Sequence, residues 1–409
     1  MNQSIETLFD DLRSNSVKCL MIRPKALHDT SLFVGDIDML ISPDAYLNFL
    51  LCVKNICRKD GLSFYVKRKK HSKLELTIFD LSSDLTVMFD LWFYLDVRYG
   101  KNKKYISWET LIDKHAIIEE SGRFSLEKDF SALFYISHLY SKKKDLSNKE
   151  VQARVTYFLN TEPSEKICLY LQNLNEDTYS KVYDYFLKQG YYDGTTASLT
   201  RKLMFKLSSV GQFSNACVVG PDGVGKGTII ELLLERTASK YYRFKKTFRK
   251  SLLYILQHSL LRNKKDSKNV FDEKNRKNLF WFSLSRSYLV MLFNFGRKRL
   301  IFDRYFYDLM INGLRSESIK MEKGDDFESK LKWAPKLKTV IQLDAPANVI
   351  RERKAELPDD KVDALSCLYL ECAVSSHPKE FLYLNTDQSL DNIKDFLEKL
   401  INERNFLKR

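Results

Sequence analysis

The chain has 409 residues, more than one ordinary hydrophobic core organises, so two or three domains are expected. Hydrophobic residues make up 44% and charged residues 29%, which excludes intrinsic disorder, and 22 Tyr and 27 Phe provide ample core material. The net charge is +14, and the seven cysteines, odd in number and without a Cys-x-x-Cys pair, exclude a disulfide framework and a zinc ribbon.

No basic-then-apolar leader opens the chain, so a cytoplasmic protein in a reducing compartment is expected. An amphipathic helix over Ile5–Leu12 leads to a strand at Lys18–Ile22 and a second at Leu32–Ile41. A helix over Pro43–Arg58 and alternating segments at Ser63–Lys67, Leu74–Phe79 and Leu85–Phe93 follow. From Leu126 to Gln189 the apolar spacing is helical, with turn signals near Ser147, Pro163 and Asn175. Gly190-Tyr-Tyr-Asp-Gly-Thr-Thr is the linker candidate. Beyond it strands and helices alternate to the end, which implies a parallel sheet flanked by helices. The chain is therefore α/β, with an α+β domain over 1–120, a helical region over 121–195 and a second domain over 212–409.

Between Lys240 and Asn278 there are 13 Lys/Arg against three acids, Asp266, Asp272 and Glu273. This excess reads either as a field for an anionic ligand or as a solvated basic insertion. No aromatic RNA-binding signature or basic zipper accompanies it, which leaves nucleic acid a minor reading. The apolar run Leu279–Phe295 is broken by Ser283, Ser285, Arg286 and Ser287, so it reads as a buried amphipathic helix and not a membrane span. A homodimer is left open.

The densest chemical signal is Gly220-Pro-Asp-Gly-Val-Gly-Lys-Gly-Thr228. It follows the β-type run Ala216–Val219 and opens an apolar-periodic helix through Ile229, Ile230, Leu233 and Leu234. In that context a G-x-x-x-x-G-K loop cradles phosphates. Gly220, Asp222, Gly223, Val224, Gly225, Lys226, Gly227 and Thr228 are the nucleotide-binding candidates. Glycines let successive backbone N–H groups face the ligand, the helix N-terminus adds its dipole, and Lys226 reaches the β- and γ-phosphates. The residue after the Lys is Gly227 where a Ser or Thr usually stands, and this Gly-Lys-Gly-Thr form resembles adenylate kinases. Thr228 is the hydroxyl assigned to Mg²⁺.

Further motifs resemble the thymidylate kinases. Gly220-Pro-Asp-Gly-Val-Gly-Lys is similar to that family's loop, including Asp222, whose counterpart contacts an acceptor hydroxyl. Leu279-Phe-Trp-Phe-Ser-Leu-Ser-Arg286 resembles the helix lining the acceptor site, which implies that Phe282 stacks on a base and Arg286 bonds it. Arg299-Leu-Ile-Phe-Asp-Arg-Tyr305 carries the family's Asp-Arg-Tyr motif: Asp303 is placed to hold Mg²⁺ and Arg304 to clamp an acceptor phosphate. Lys338–Pro346 and Val349–Lys354 resemble a core strand and the basic lid, with Arg351 and Arg353 as lid cations. Phe381–Ser389 and a helix from Leu390 resemble the strand and helix flanking the adenine site. The resemblance covers about residues 214–405 and implies a P-loop, nucleoside-monophosphate-kinase-like domain using ATP and Mg²⁺. Two departures lie at the acceptor side: Tyr241–Arg249 replaces the Arg-Glu-Pro segment, and Asp308 stands where a Ser is usual. The acceptor is thus expected to be a nucleoside monophosphate or another small anionic, phosphorylated or hydroxylated molecule.

In the N-terminal half, Val34-Gly-Asp-Ile-Asp-Met-Leu-Ile41 sets Asp36 and Asp38 on one strand face, and Asp90 follows the apolar run Leu85–Phe89. Three convergent carboxylates suit metal-assisted chemistry. This resembles the nucleotidyltransferase superfamily typified by DNA polymerase β, which implies a metal set of Asp36, Asp38 and Asp90. The helix-opening Gly-Ser or Gly-Gly of that family is absent, with Met21-Ile-Arg-Pro-Lys25 in its place. A transferase acting through these acids, with the P-loop half as a nucleotide-binding module, is the alternative to a kinase.

Overall fold

The computed structural model describes residues 2–22, 37–70, 72–83, 85–99, 102–106, 108–118, 124–161, 163–188, 213–243, 285, 299–305, 307, 311, 336–354, 358–403 and 406. They fall into two compact units, each assembled from discontinuous stretches: 1–52, 69–76 and 87–205 in the first, and 53–68, 77–86 and 206–409 in the second.

The first unit opens with α1 (Asn2–Ser14), which buries Ile5, Leu8, Phe9 and Leu12, the one-sided stripe that helical spacing dictates. Strands β1 (Cys19–Met21) and β2 (Ile37–Ile41) pair antiparallel. The helix expected from Pro43 begins as a 3₁₀ turn, Pro43–Ala45, and becomes α2 at Tyr46–Lys59, whose residues from Val53 on belong to the second unit. After β3 (Leu62–Lys70), whose residues to Arg68 belong to the second unit, and β4 (Lys73–Asp80), which passes from the first unit into the second at Thr77, β5 (Thr86–Trp92) runs parallel to β2 with Asp38 opposite Asp90. A hairpin of β6 (Leu95–Tyr99) and β7 (Asn102–Ile106), then α3 (Trp108–His115), β8 (Ala116–Ile118) and β9 (Phe124–Leu126), complete the α+β part. The helical stretch is four helices: α4 (Lys128–Lys142), α5 (Lys149–Asn160), α6 (Glu165–Gln172) and α7 (Glu176–Lys188). Phe130, Leu133, Ile136, Phe158, Val182 and Phe186 from these helices share one core with Leu20, Leu40 and Leu95 of the strands.

In the second unit β10 (Phe213–Val219), β11 (Lys240–Tyr242), β12 (Leu300–Asp303), β13 (Leu337–Asp344) and β14 (Glu380–Asn385) form a parallel sheet in the order β11-β12-β10-β13-β14. β3 pairs antiparallel with β14, Phe381 opposite Val66 and Tyr383 opposite Phe64. Among the described residues this unit's further helices are α8 (Lys226–Arg236), α9 (Ala347–Arg353), α10 (Asp359–Ser375) and α11 (Leu390–Glu403). β14 is buried along its whole length, as a strand covered on both faces must be. Ile230, Leu233, Ile341, Leu384, Ile393 and Leu397 fill the core on the helical side. Among the described residues no helix is long and apolar enough to cross a membrane.

Candidate active site

Buried Val218 and Val219 end β10, and the chain turns through Gly220–Gly225 into α8, which starts at Lys226. Val224, fully buried, anchors the loop in the core. Gly220 has φ 146° and sits against β13: a Cβ there would meet the Leu343 carbonyl oxygen at 2.4 Å. Gly223 has φ 92° and faces α9, its Cβ position 3.1 Å from the Ile350 oxygen and 3.0 Å from Lys354 Cβ. Both positions demand glycine, because an L side chain would be strained by the backbone and crowded by its neighbours. Gly227 and Thr228 lie exposed on the first turn of α8.

Lys226 is 9% exposed and folds back over the loop. Its ammonium donates to the Gly220 carbonyl at 2.7 Å and the Pro221 carbonyl at 2.6 Å, and lies 3.3 Å from Asp222 Oδ1. Arg304, the residue after β12, also pairs with Asp222, and it does so from a left-handed backbone with φ 60°. Burial pushes the Asp222 carboxyl up, but Lys226, Arg304 and Lys354 outweigh it and hold the group below the usual carboxylate range. One carboxylate therefore gathers three cations at the mouth of the strands.

Asp303 ends β12, register-paired with Val218, and is buried. Its Oδ2 accepts the Tyr241 hydroxyl at 2.9 Å and lies 3.4 Å from Arg243 Nε. Burial first, and then Asp303 itself, push the Tyr241 phenol up, so it stays a donor. Of the basic stretch after α8, only Lys240–Arg243 lie among the described residues, and two of them are occupied with this acid.

Of the lid cations, Arg353 bonds the Thr386 carbonyl at 2.9 Å, and Arg351 forms an exposed 3.4 Å pair with Asp359. Lys354, at the end of that run, packs on the loop at Gly223. Phe282, Arg286 and Asp308 lie outside the described residues.

Motif reading misses Arg58, at the end of α2. Its Nε and Nη2 donate to the Ala345 carbonyl at 3.0 and 2.8 Å, and it also pairs with Asp363. Asp344, with no exposed side chain, is 3.6 Å from Arg58 and accepts from Ser366 Oγ at 2.6 Å and Tyr383 at 3.0 Å. This buried network fixes the turn from β13 into α9. Nothing in the sequence around Arg58 signals it, because its partners are about three hundred positions away.

In the first unit, Asp38 and Asp90 are cross-strand neighbours. Asp90 pairs with Lys73, whose ammonium lies 4.8 Å from the Trp92 ring centroid, and Trp92 Nε1 donates to Asp38 Oδ1 at 3.3 Å. Asp36 lies outside the described residues. Among the described residues no group of three or more His, Cys, Asp and Glu side chains gathers as a metal site.

No protein-family model and no curated protein matches the chain. Among solved structures, thymidylate kinase from Candida albicans is similar at 16% identity and a TM-score of 0.36, covering 47% of this chain and 92% of that one.

Proposed function

We propose that the domain over 212–409 is an ATP-dependent phosphotransferase that moves the γ-phosphoryl group to a nucleoside monophosphate or a similar small anionic acceptor. The observation that carries this reading is Lys226 bonded to the loop carbonyls of Gly220 and Pro221, beside an Asp222 that also holds Arg304. The loop carbonyls and the nearby Asp222 hold the ammonium over the loop, where it would meet a phosphate seated there. Gly220 and Gly223, which no Cβ can replace, hold the loop against β13 and α9, in a turn whose amides would line a triphosphate. The residues present therefore fit a nucleoside triphosphate.

In the reaction an acceptor oxygen forms a bond to the γ-phosphorus while the bond to the β-bridging oxygen breaks. Lys226 and the amides of Gly223–Thr228 would hold the donor. Arg304 would leave Asp222 for an acceptor phosphate, and Asp222 would then be open to an acceptor hydroxyl. Asp303 and Thr228 would hold Mg²⁺, which neutralises the charge that shifts between phosphates. Arg351 and Arg353 would come in with the lid, and Phe282 and Arg286 would frame the acceptor.

The test is Mg·ATP turnover against a panel of nucleoside monophosphates and phosphosugars, wild type beside Lys226→Ala. Acceptor-stimulated ADP release that the variant lacks supports the proposal. ADP release that no acceptor accelerates refutes it.

A second reading takes residues 1–120 as a nucleotidyltransferase-like domain with 121–195 packed on it. The pairing of Asp38 with Asp90 across parallel strands favours it. Under that reading Asp36→Asn with Asp38→Asn abolishes activity and Lys226→Ala spares it.

A further inference from the structure

Lys54 is 1% exposed, among the largest fully buried side chains of the protein. It projects from α2 to α10, where its Nζ lies 3.2 Å from the Cys367 sulfur. One helical turn on along α2 and one turn back along α10, Arg58 meets Asp363. That second pair is the ordinary arrangement, a cation on a carboxylate. The first is not, since sulfur is a poor hydrogen-bond acceptor for a buried ammonium. The pairing offers little to folding and much to chemistry, because a nitrogen nucleophile stands at near-attack distance from an oxidisable atom.

Exposure selects the same residue. Cys52, Cys57, Cys217 and Cys372 are buried, whereas Cys19, Cys168 and Cys367 are partly exposed. Cys19 is pushed up to about 12, by burial first and by Cys52 second, and is inert as a thiolate. Cys168 faces the Pro163 carbonyl at 3.6 Å. Cys367 alone of these three has an amine beside it among the described contacts.

We propose that Lys54 and Cys367 are a peroxide-dependent modification site that closes a reversible sulfur–nitrogen link between α2 and α10. First the Cys367 sulfur attacks a peroxide oxygen; the O–O bond breaks, sulfur is oxidised to the sulfenic acid and water leaves. Then the free-base amine of Lys54 attacks that sulfur, the S–O bond breaks, and the oxygen departs as a second water carrying a proton from nitrogen. In sum, thiol, amine and hydrogen peroxide give a sulfenamide and two waters. A thiol reductant reopens the link. The inference does not rest on the phosphotransferase reading.

The experiment uses the full chain, reduced and then treated with a small excess of hydrogen peroxide, alkylated, digested and analysed by mass spectrometry. The expected product joins the Lys54 and Cys367 peptides and is lighter than their sum by a pair of hydrogens. It disappears on treatment with dithiothreitol. Cys367→Ser abolishes it, as does Lys54→Arg, which keeps the charge but not the amine. The wild-type measurement needs no variant, so a poorly folded Lys54→Arg leaves the test intact. Recovery of wild-type Cys367 as free thiol, sulfinic acid or a disulfide, with no joined peptide, overturns the proposal.

Discussion

Gly220 and Leu343 approach so closely that a methyl group on Gly220 would overlap the Leu343 carbonyl, 2.4 Å from its oxygen. This contact brings the phosphate-type loop down onto the central strand β13. It also makes the loop sensitive to the smallest possible enlargement. Gly220→Ala is expected to destabilise the protein by about 3 kcal/mol, combining backbone strain with overlap against a carbonyl that cannot move. Gly225→Ala has open space and bears only its positive φ, so it should cost roughly 1–2 kcal/mol. Urea unfolding of the two variants checks the order.

Lys226→Ala should leave the fold largely intact and weaken function. Under the proposed phosphotransfer, turnover should fall about a hundredfold or more, the usual scale for losing one charge-stabilising donor. Steady-state ADP release, with thermal unfolding as the control, separates the two effects.

Asp222 gives a pH signature. Its folded pKa is lowered, so the unfolded chain takes up a proton before the folded one does as pH falls. The stability it contributes is fully present above the unfolded value of about 4 and is lost as pH drops through the folded value. Asp222→Asn leaves Lys226, Arg304 and Lys354 facing a neutral amide, so it should be less stable than wild type at pH 7. That gap should close below about pH 4. Denaturant titrations at several pH values measure it.

Arg58→Ala removes the cation beside a fully buried Asp344 and the donors to Ala345. It should cost about 3 kcal/mol, as expected when one partner of a buried pair is deleted. Adding Asp344→Asn should recover part of that loss, because the amide carries no unbalanced charge. A double-mutant cycle by chemical denaturation tests the coupling.

The local features were legible in the residue order. The strand, the Gly220–Gly225 turn and the helix from Lys226 are written within some twenty consecutive residues, and glycine placement with apolar spacing suffices to read them. The same holds for β12 ending at Asp303 and for the α4–α7 stretch. The segment from Leu95 to Ile118 was harder: its short strands and α3 mix polar and apolar residues over spans too brief for a period to show.

What the sequence determined by itself was therefore the run of strands and helices and the position of the phosphate-type loop, because backbone preference and side-chain periodicity act between near neighbours. What only the tertiary structure decided was which distant side chains meet. Arg304 reaches Asp222 from 82 positions away, and Arg58 reaches Ala345 from 287. β3 lies antiparallel beside β14, and Lys54 stops at a sulfur. Parallel strands return to the same end of a sheet after crossovers of arbitrary length, so charges far apart along the chain converge there, and no local pattern records their pairing.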